Sequence, residues 1–196
     1  MIEIEKILYD KVKAELLKWD EDGIYAISFF VYSNESYEYK GYTNVSTWAI
    51  SYNTEADCEG AGDLDEERWN YAFWRQDERF IIDVYEPDEY TEALYEWYKE
   101  NGIDNIGEED SDNDYDEECN YIGKGPVGHY ELVGIASRVA RMLQEDGTVR
   151  NHFGKALPII IHGLEYAWYD IEATKNANPN SEADTFVEAM MDMGFM

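Results

Sequence analysis

The sequence predicts an α+β protein: an antiparallel sheet with an N-terminal helix and several packed helices in the second half. Two observations lead to this prediction. Runs of β-branched and aromatic residues occur early, at residues 24–32 and 47–52, and only one short run follows, at 157–162. Patterns of helical period dominate the second half. Because strands lead and helices follow, a doubly wound parallel sheet is not expected.

The predicted helices follow from apolar residues that recur at helical spacing. The first begins near Ile4 and ends before Gly23. Pro87 begins the second, because proline fits the first turn of a helix, and Gly102 follows its end. The later helices have three apolar faces: Val127, Tyr130, Leu132, Ile135, Val139 and Leu143; Leu164, Ala167, Trp168 and Ile171; and Phe186, Val187 and Met190.

Composition bounds the kind of partner. With 196 residues, 44% of them hydrophobic, the chain can form a single domain over residues 1–196. Acidic residues outnumber basic ones 44 to 15, which gives a formal charge of -29. Such a charge repels nucleic acids and anionic membranes and attracts cationic proteins. The predicted partner is therefore a basic protein; the alternative is that the charge serves only to keep the protein soluble. No cofactor is indicated, and the oligomeric state is left open.

Three features predict a cytoplasmic protein. The N-terminal residues lack the basic and apolar regions of a signal peptide. The longest apolar run, at 156–161, is too short to span a bilayer. Cys58 and Cys119 lie far apart in the sequence, which fits a reducing compartment better than a disulfide scaffold.

The acidic residues are concentrated in two segments. Residues 53–67 hold seven acids and no base, and residues 104–118 hold nine and no base. The second segment is too repulsive to pack, so an exposed loop is expected at about 104–121. Carboxylates alternate within it, at Asp110, Asp112, Asp114 and Asp116. Alternating oxygens suit calcium, but Tyr115 and Tyr121 stand where an EF-hand needs glycine and glutamate. Divalent-cation binding by this loop is one alternative function.

The leading hypothesis is a non-enzymatic interaction protein of the immunity, inhibitor or nucleic-acid-mimic type. Tyrosines alternate with charged residues at 37–42, which is predicted to be a loop, and exposed tyrosines flanked by acids are effective anchors for a basic partner. The predicted partner-binding residues are Tyr37, Tyr39, Tyr42, Asp63, Asp65, Asp110, Asp112 and Asp114.

A second alternative is an enzyme or small-ligand binder with a cleft around His162 and Glu165. His162 ends a predicted apolar strand just before a helix, and an imidazole near a carboxylate can act as a general base. It predicts a concave pocket that contains His162. Against it, a histidine with no visible nucleophile is more often a hydrogen-bonded structural residue.

Two stretches carry a resemblance to a known family. Residues 67–74 (ERWNYAFW) and 153–179, which include PIIIHGLEY and NANP, resemble an uncharacterised, mainly bacterial domain-of-unknown-function family whose members are of about this length. The resemblance implies no catalytic residue. By analogy alone, small acidic proteins of this kind often act as immunity or inhibitor partners of toxins.

Overall fold

The computed structural model describes residues 2–109 and 114–195 and confirms the α+β fold class. In the described part, the strands are β1 (Ile24–Ser33), β2 (Glu38–Tyr39), β3 (Tyr42–Thr43), β4 (Ser46–Thr54), β5 (Arg79–Ile82) and β6 (Ile159–His162). The helices are α1 (Ile4–Leu16), α2 (Glu66–Trp69), α3 (Glu89–Glu100), α4 (His129–Glu145), α5 (Thr148–Phe153), α6 (Trp168–Ala177) and α7 (Asp184–Asp192), with a 3-10 turn at Tyr71–Phe73.

The main sheet has four strands in the order β5-β4-β1-β6. The pair β1/β4 is antiparallel, as expected, and β4/β5 is antiparallel as well. In contrast, β6 joins β1 in parallel, with His162 opposite Phe30. The sheet is therefore mixed. The chain forms α3 to α5 between β5 and β6, which gives it the length that a parallel return needs.

Each face of the sheet is covered by its own apolar cluster, because successive side chains of a strand point to opposite faces. Ile27, Phe29 and Val31 pack with α1, α3 and α4. Ala26 and Phe30 pack with α7 and with an aromatic segment, at residues 69–74, that crosses the other face. This aromatic segment positions the candidate site described below.

Side chains of α6 and of the residue that follows it cover the outer edge of β6. Thr174 Oγ1 accepts from the Ile161 N–H at 2.8 Å and donates to the Ile161 carbonyl at 3.1 Å. The Asn178 amide pairs likewise with Ile159, at 3.0 Å to N and 2.8 Å to O. Two side chains thus replace a fifth strand, and the buried edge keeps no unpaired backbone group at these two residues.

Four local elements differ from the prediction. The tyrosine segment is the β2/β3 hairpin rather than a loop, and β5 and α5 were not predicted because they have only four and six residues. The helix assigned to Leu164 begins only at Trp168. Leu164 therefore precedes the helix, and 74% of its surface is exposed.

The two acidic segments lie near opposite ends of β4. Glu55 follows the last residue of this strand, whereas Asn44, just before its first, donates to Glu109 at 2.9 Å. The nine residues of β4 span roughly 27 Å at the usual strand rise. The acidity is thus distributed over both ends of the sheet.

Two further findings concern the predicted compartment. Among residues 2–109 and 114–195, no helix combines the length and apolarity that a membrane span requires. Both cysteines are free thiols, and Cys58 is buried whereas Cys119 is exposed.

Candidate functional site

His162, at the end of β6, is fully buried, with 1% of its surface exposed. Its Nδ1 lies 2.9 Å from the Gly163 carbonyl and its Nε2 lies 2.7 Å from Ser28 Oγ. A carbonyl can only accept, so Nδ1 carries the proton and the neutral ring accepts the Ser28 hydroxyl at Nε2.

Aromatic rings surround this imidazole. The ring of Phe30 stacks on it at 5.2 Å, Tyr71 lies at 4.6 Å, Trp74 at 5.8 Å and Tyr166 at 6.0 Å. Burial among them disfavours the charged form and lowers the pKa of His162 to about 4, against a smaller raising effect of the Gly163 carbonyl. His162 is therefore neutral at physiological pH.

The Ser28–His162 pair has the spacing of a nucleophile and its base, but a substrate cannot reach it. Ser28 is 0% exposed, and Nδ1 of His162 is oriented by a backbone carbonyl rather than by a carboxylate. A second pair of this kind, Ser46 Oγ and His129 Nδ1 at 2.9 Å, is also buried. Both pairs satisfy buried polar groups in the core, and within residues 2–109 and 114–195 His162 is too deeply buried to line a cleft as expected.

A groove nevertheless lies beyond the end of β6, on the outer side of the aromatic rings. It has a volume of about 290 Å³ and lies between α2, the 163–166 segment and the end of α7. Its apolar lining consists of Tyr71, Leu164, Tyr166, Met190, Met193 and Phe195. Its polar lining includes the carboxylates of Glu66 and Glu165. Glu165 thus faces a groove as expected, whereas His162 lies behind it.

The aromatic floor of the groove is fixed from within the protein. The Tyr166 hydroxyl donates to the Trp69 carbonyl at 2.6 Å, and the Tyr71 hydroxyl donates to the Glu78 carboxylate. Burial raises the pKa of both phenols, so neither is ionised at physiological pH. With these hydroxyls engaged, the two tyrosines offer the groove mainly apolar surface.

Asp170 lies in the first turn of α6, close to the groove segment. Its Oδ2 accepts from the Ala167 N–H at 3.0 Å, closing a cap on the helix start. Burial raises the pKa of Asp170 to about 7, because two backbone N–H groups only partly compensate for lost hydration. It is a buried structural acid.

The predicted anchor tyrosines are not exposed. Tyr37 and Tyr39 have only 9% and 8% of their surfaces accessible, and Tyr42 is half-buried. Tyr39 packs on Tyr95 at 4.6 Å and donates to Glu92, because the hairpin lays this side chain on α3. The expectation of exposed tyrosines is therefore wrong for Tyr37 and Tyr39, whose rings belong to the core.

The predicted acidic residues differ from these tyrosines in exposure and in contacts. Asp63 and Asp65 are exposed, next to Glu66 of the groove. Asp110 and Asp112 lie outside the described residues. Asp114 is half-buried beside Gly123, and the Asp116 carboxylate accepts from the N–H groups of Glu118 and Asn120 at 2.8 and 2.9 Å. Among the described residues, no three histidine, cysteine, aspartate or glutamate side chains form a cluster that could hold a metal ion. Asp114 and Asp116 are therefore not part of such a cluster.

A second, larger cleft separates α4 from α6, with a volume of about 370 Å³. Its two cations are already paired, Arg138 with Glu5 at 2.9 Å and Arg141 with Glu145 at 2.7 Å. An anionic ligand would have to displace both carboxylates and approach a strongly negative molecule. The smaller groove is therefore the better candidate.

Sequence reasoning missed several residues that build this site. Glu66, Tyr71 and Phe195 come from separate parts of the chain, and nothing in their local pattern marks them as neighbours. Comparisons of the chain with protein-family models, with curated proteins and with solved structures give no match. The family resemblance of the two stretches described above therefore stays a prediction.

Proposed function

We propose that this protein acts by binding a basic protein, in the manner of an inhibitor or of a nucleic-acid mimic. The observation that carries the proposal is uncompensated negative charge. Ten of its 15 lysines and arginines lie 2.5 to 3.3 Å from carboxylates of the same chain. Few basic residues are therefore left to offset the negative charge of the 44 acidic residues.

The internal pairs also hold one acidic segment in place. Arg68, which is almost buried, binds both oxygens of Glu55, at 2.7 and 2.9 Å. Arg75 binds Glu21 and Asp57. These arginines anchor the start of the segment, while Asp63, Asp65 and Glu67 remain exposed. An ordered row of carboxylates steers a cationic surface and aligns it with less loss of entropy than a mobile tail would.

The proposal is tested by capturing a partner and then removing charge. The immobilised protein is expected to retain a protein of high isoelectric point from its host at roughly physiological ionic strength. The triple variant Asp63→Asn/Asp65→Asn/Glu67→Gln is expected to associate with that partner about three- to tenfold more slowly, because attraction governs the rate. The control variant Glu86→Gln/Glu89→Gln/Glu96→Gln loses the same charge around α3 and is expected to change the rate less.

Capture of a neutral or acidic partner would contradict the proposal. Equal effects of the two triple variants would show that total charge matters and that the segment at 63–67 does not. Circular dichroism of each variant checks the fold, which exposed substitutions of this kind are expected to leave intact.

A further inference from the structure

The groove beyond β6 leaves apolar surface uncovered in a protein with a formal charge of -29. Leu164 is 74% exposed and Phe195 is 49% exposed, and both line it. Scattered exposed apolar residues need no explanation, but a concave group of them beside a fixed aromatic floor marks a binding surface. Partly exposed Met193 adds a side chain that adapts to different shapes.

The charged residues that line the groove have one sign. Glu66 and Glu165 line it, and both are exposed. Among the described residues that line it, none is a lysine or an arginine. Asp65 and Glu67 flank Glu66 in the sequence and are exposed as well. A group that enters the apolar groove therefore meets carboxylates at its rim, which favours a cationic neighbour.

The size of the groove limits its occupant. A volume of about 290 Å³ lies at the lower end of the range for small-molecule sites. It suits one large apolar side chain with part of its backbone, as anchor residues of protein interfaces do. A second copy of the chain is a poor occupant because each copy carries a charge of -29. Anionic lipid surfaces are disfavoured for the same reason.

We infer that this groove takes a segment of the basic partner in which a large apolar residue is flanked by lysine or arginine. The apolar side chain packs between Leu164, Phe195 and the ring of Tyr166. The flanking cations pair with Glu66 and Glu165. This inference rests on the proposed function and names the part of the surface that anchors the partner.

The inference is tested by fluorescence anisotropy with a short labelled peptide that carries a central leucine between lysines. The wild-type protein is expected to bind it saturably, and about tenfold more tightly than a matched peptide with serine at the centre. Leu164→Ser is expected to remove this preference. Leu17→Ser, at another exposed leucine on the C-terminal side of α1, is expected to retain it.

Charge is tested separately from shape. Glu66→Lys/Glu165→Lys is expected to weaken binding of the leucine peptide at least about tenfold. Glu89→Lys/Glu96→Lys, which changes the net charge equally at α3, is expected to weaken it no more than about threefold, because distant charges are screened.

Three results would overturn the inference: no saturable binding by the wild type, equal binding of the leucine and serine peptides, or equal effects of the two lysine variants. None of them touches the proposed function, which concerns the captured protein. If that protein binds Leu164→Ser and Glu66→Lys/Glu165→Lys as it binds the wild type, the groove is not the anchoring site. The proposal that the partner is a basic protein is then unaffected. If no basic protein is captured, the proposed function itself fails.

Discussion

Acidification is expected to destabilise the folded protein through His129 and His162, by about 5 kcal/mol in total between about pH 7 and about pH 4.5. Burial lowers the pKa of each imidazole to about 4 from its ordinary value of 6.5. The unfolded chain therefore takes up protons over this range that the folded protein does not. Each histidine contributes stability that is present above pH 6.5 and is lost as the pH falls towards 4.

Variants separate this effect from other titrations. His162→Gln is expected to be less stable than the wild type at about pH 7, and the difference is expected to shrink by about 2 kcal/mol at about pH 4.5, since glutamine does not titrate. His129→Gln gives an independent test at a second buried site. The free energy of unfolding is measured with denaturant at both pH values. A difference that stays constant with pH would contradict burial of these histidines in the neutral form.

The contribution of Asp170 to the pH dependence of stability has the opposite sign. The pH profile of the wild-type protein alone therefore does not isolate the effect of the histidines. Its pKa is raised to about 7, so the folded state binds a proton that the unfolded chain has lost. That contribution to stability is full below the ordinary value of 3.8 and disappears as the pH rises through 7. The histidine and aspartate terms oppose each other, and only a difference between variants isolates either.

Replacing Asn178 with alanine is expected to lower the free energy of unfolding by about 4 kcal/mol. The side chain pairs both backbone groups of Ile159, donates to the Thr174 carbonyl at 2.7 Å and accepts from Gln144 at 3.0 Å. Alanine would leave these buried groups without partners, and each such loss destabilises by roughly 1 kcal/mol or more. Denaturant unfolding measures the change.

Asn176→Ala is the matched control, because Asn176 is exposed at the end of α6, two residues before Asn178. Its replacement is expected to change stability by less than about 0.5 kcal/mol. Asn178→Asp keeps an acceptor for the Ile159 N–H but loses both donors. It is therefore expected to lower the free energy of unfolding by more than Asn176→Ala does. A loss of less than about 1 kcal/mol for Asn178→Ala would show that the edge of β6 is not closed by this side chain.

The secondary structure that is long and periodic was predictable from the sequence. The stripe from Ile4 to Leu16, the two long strands and the α4 face all follow local rules of spacing, which do not depend on distant residues. The strand β5 escaped prediction because only four residues form it, two of them exposed, so its pairing with β4 is decided by tertiary contact.

The site was predictable only in part. The strand ending at His162 and the nearby Glu165 were found, but the burial of His162 is set by Tyr71 and Trp74, about ninety positions earlier in the chain. No local pattern reports that contact. The groove arises because α6 begins four residues later than the apolar spacing suggests, which leaves Leu164 exposed. Helix starts are set by caps such as Asp170, and spacing alone does not locate them.

The β2/β3 hairpin also shows the limit of prediction from local pattern, because one pattern fits two structures. Alternation of tyrosine with charge at 37–42 was interpreted as exposed anchors, although alternation is also the pattern of a strand with one buried face. The proposed partner surface changes accordingly: it keeps Asp63 and Asp65, and it adds Glu66 and Leu164 in place of the tyrosines.

Attraction of a basic partner by uncompensated carboxylates is the central claim, and the dependence of the association rate on salt tests it most directly. The rate constant for the captured partner is measured by stopped-flow mixing from about 50 mM to about 500 mM sodium chloride. The proposed function predicts a fall of at least about tenfold, with a much smaller change in the dissociation rate. An association rate that does not change with salt would contradict it.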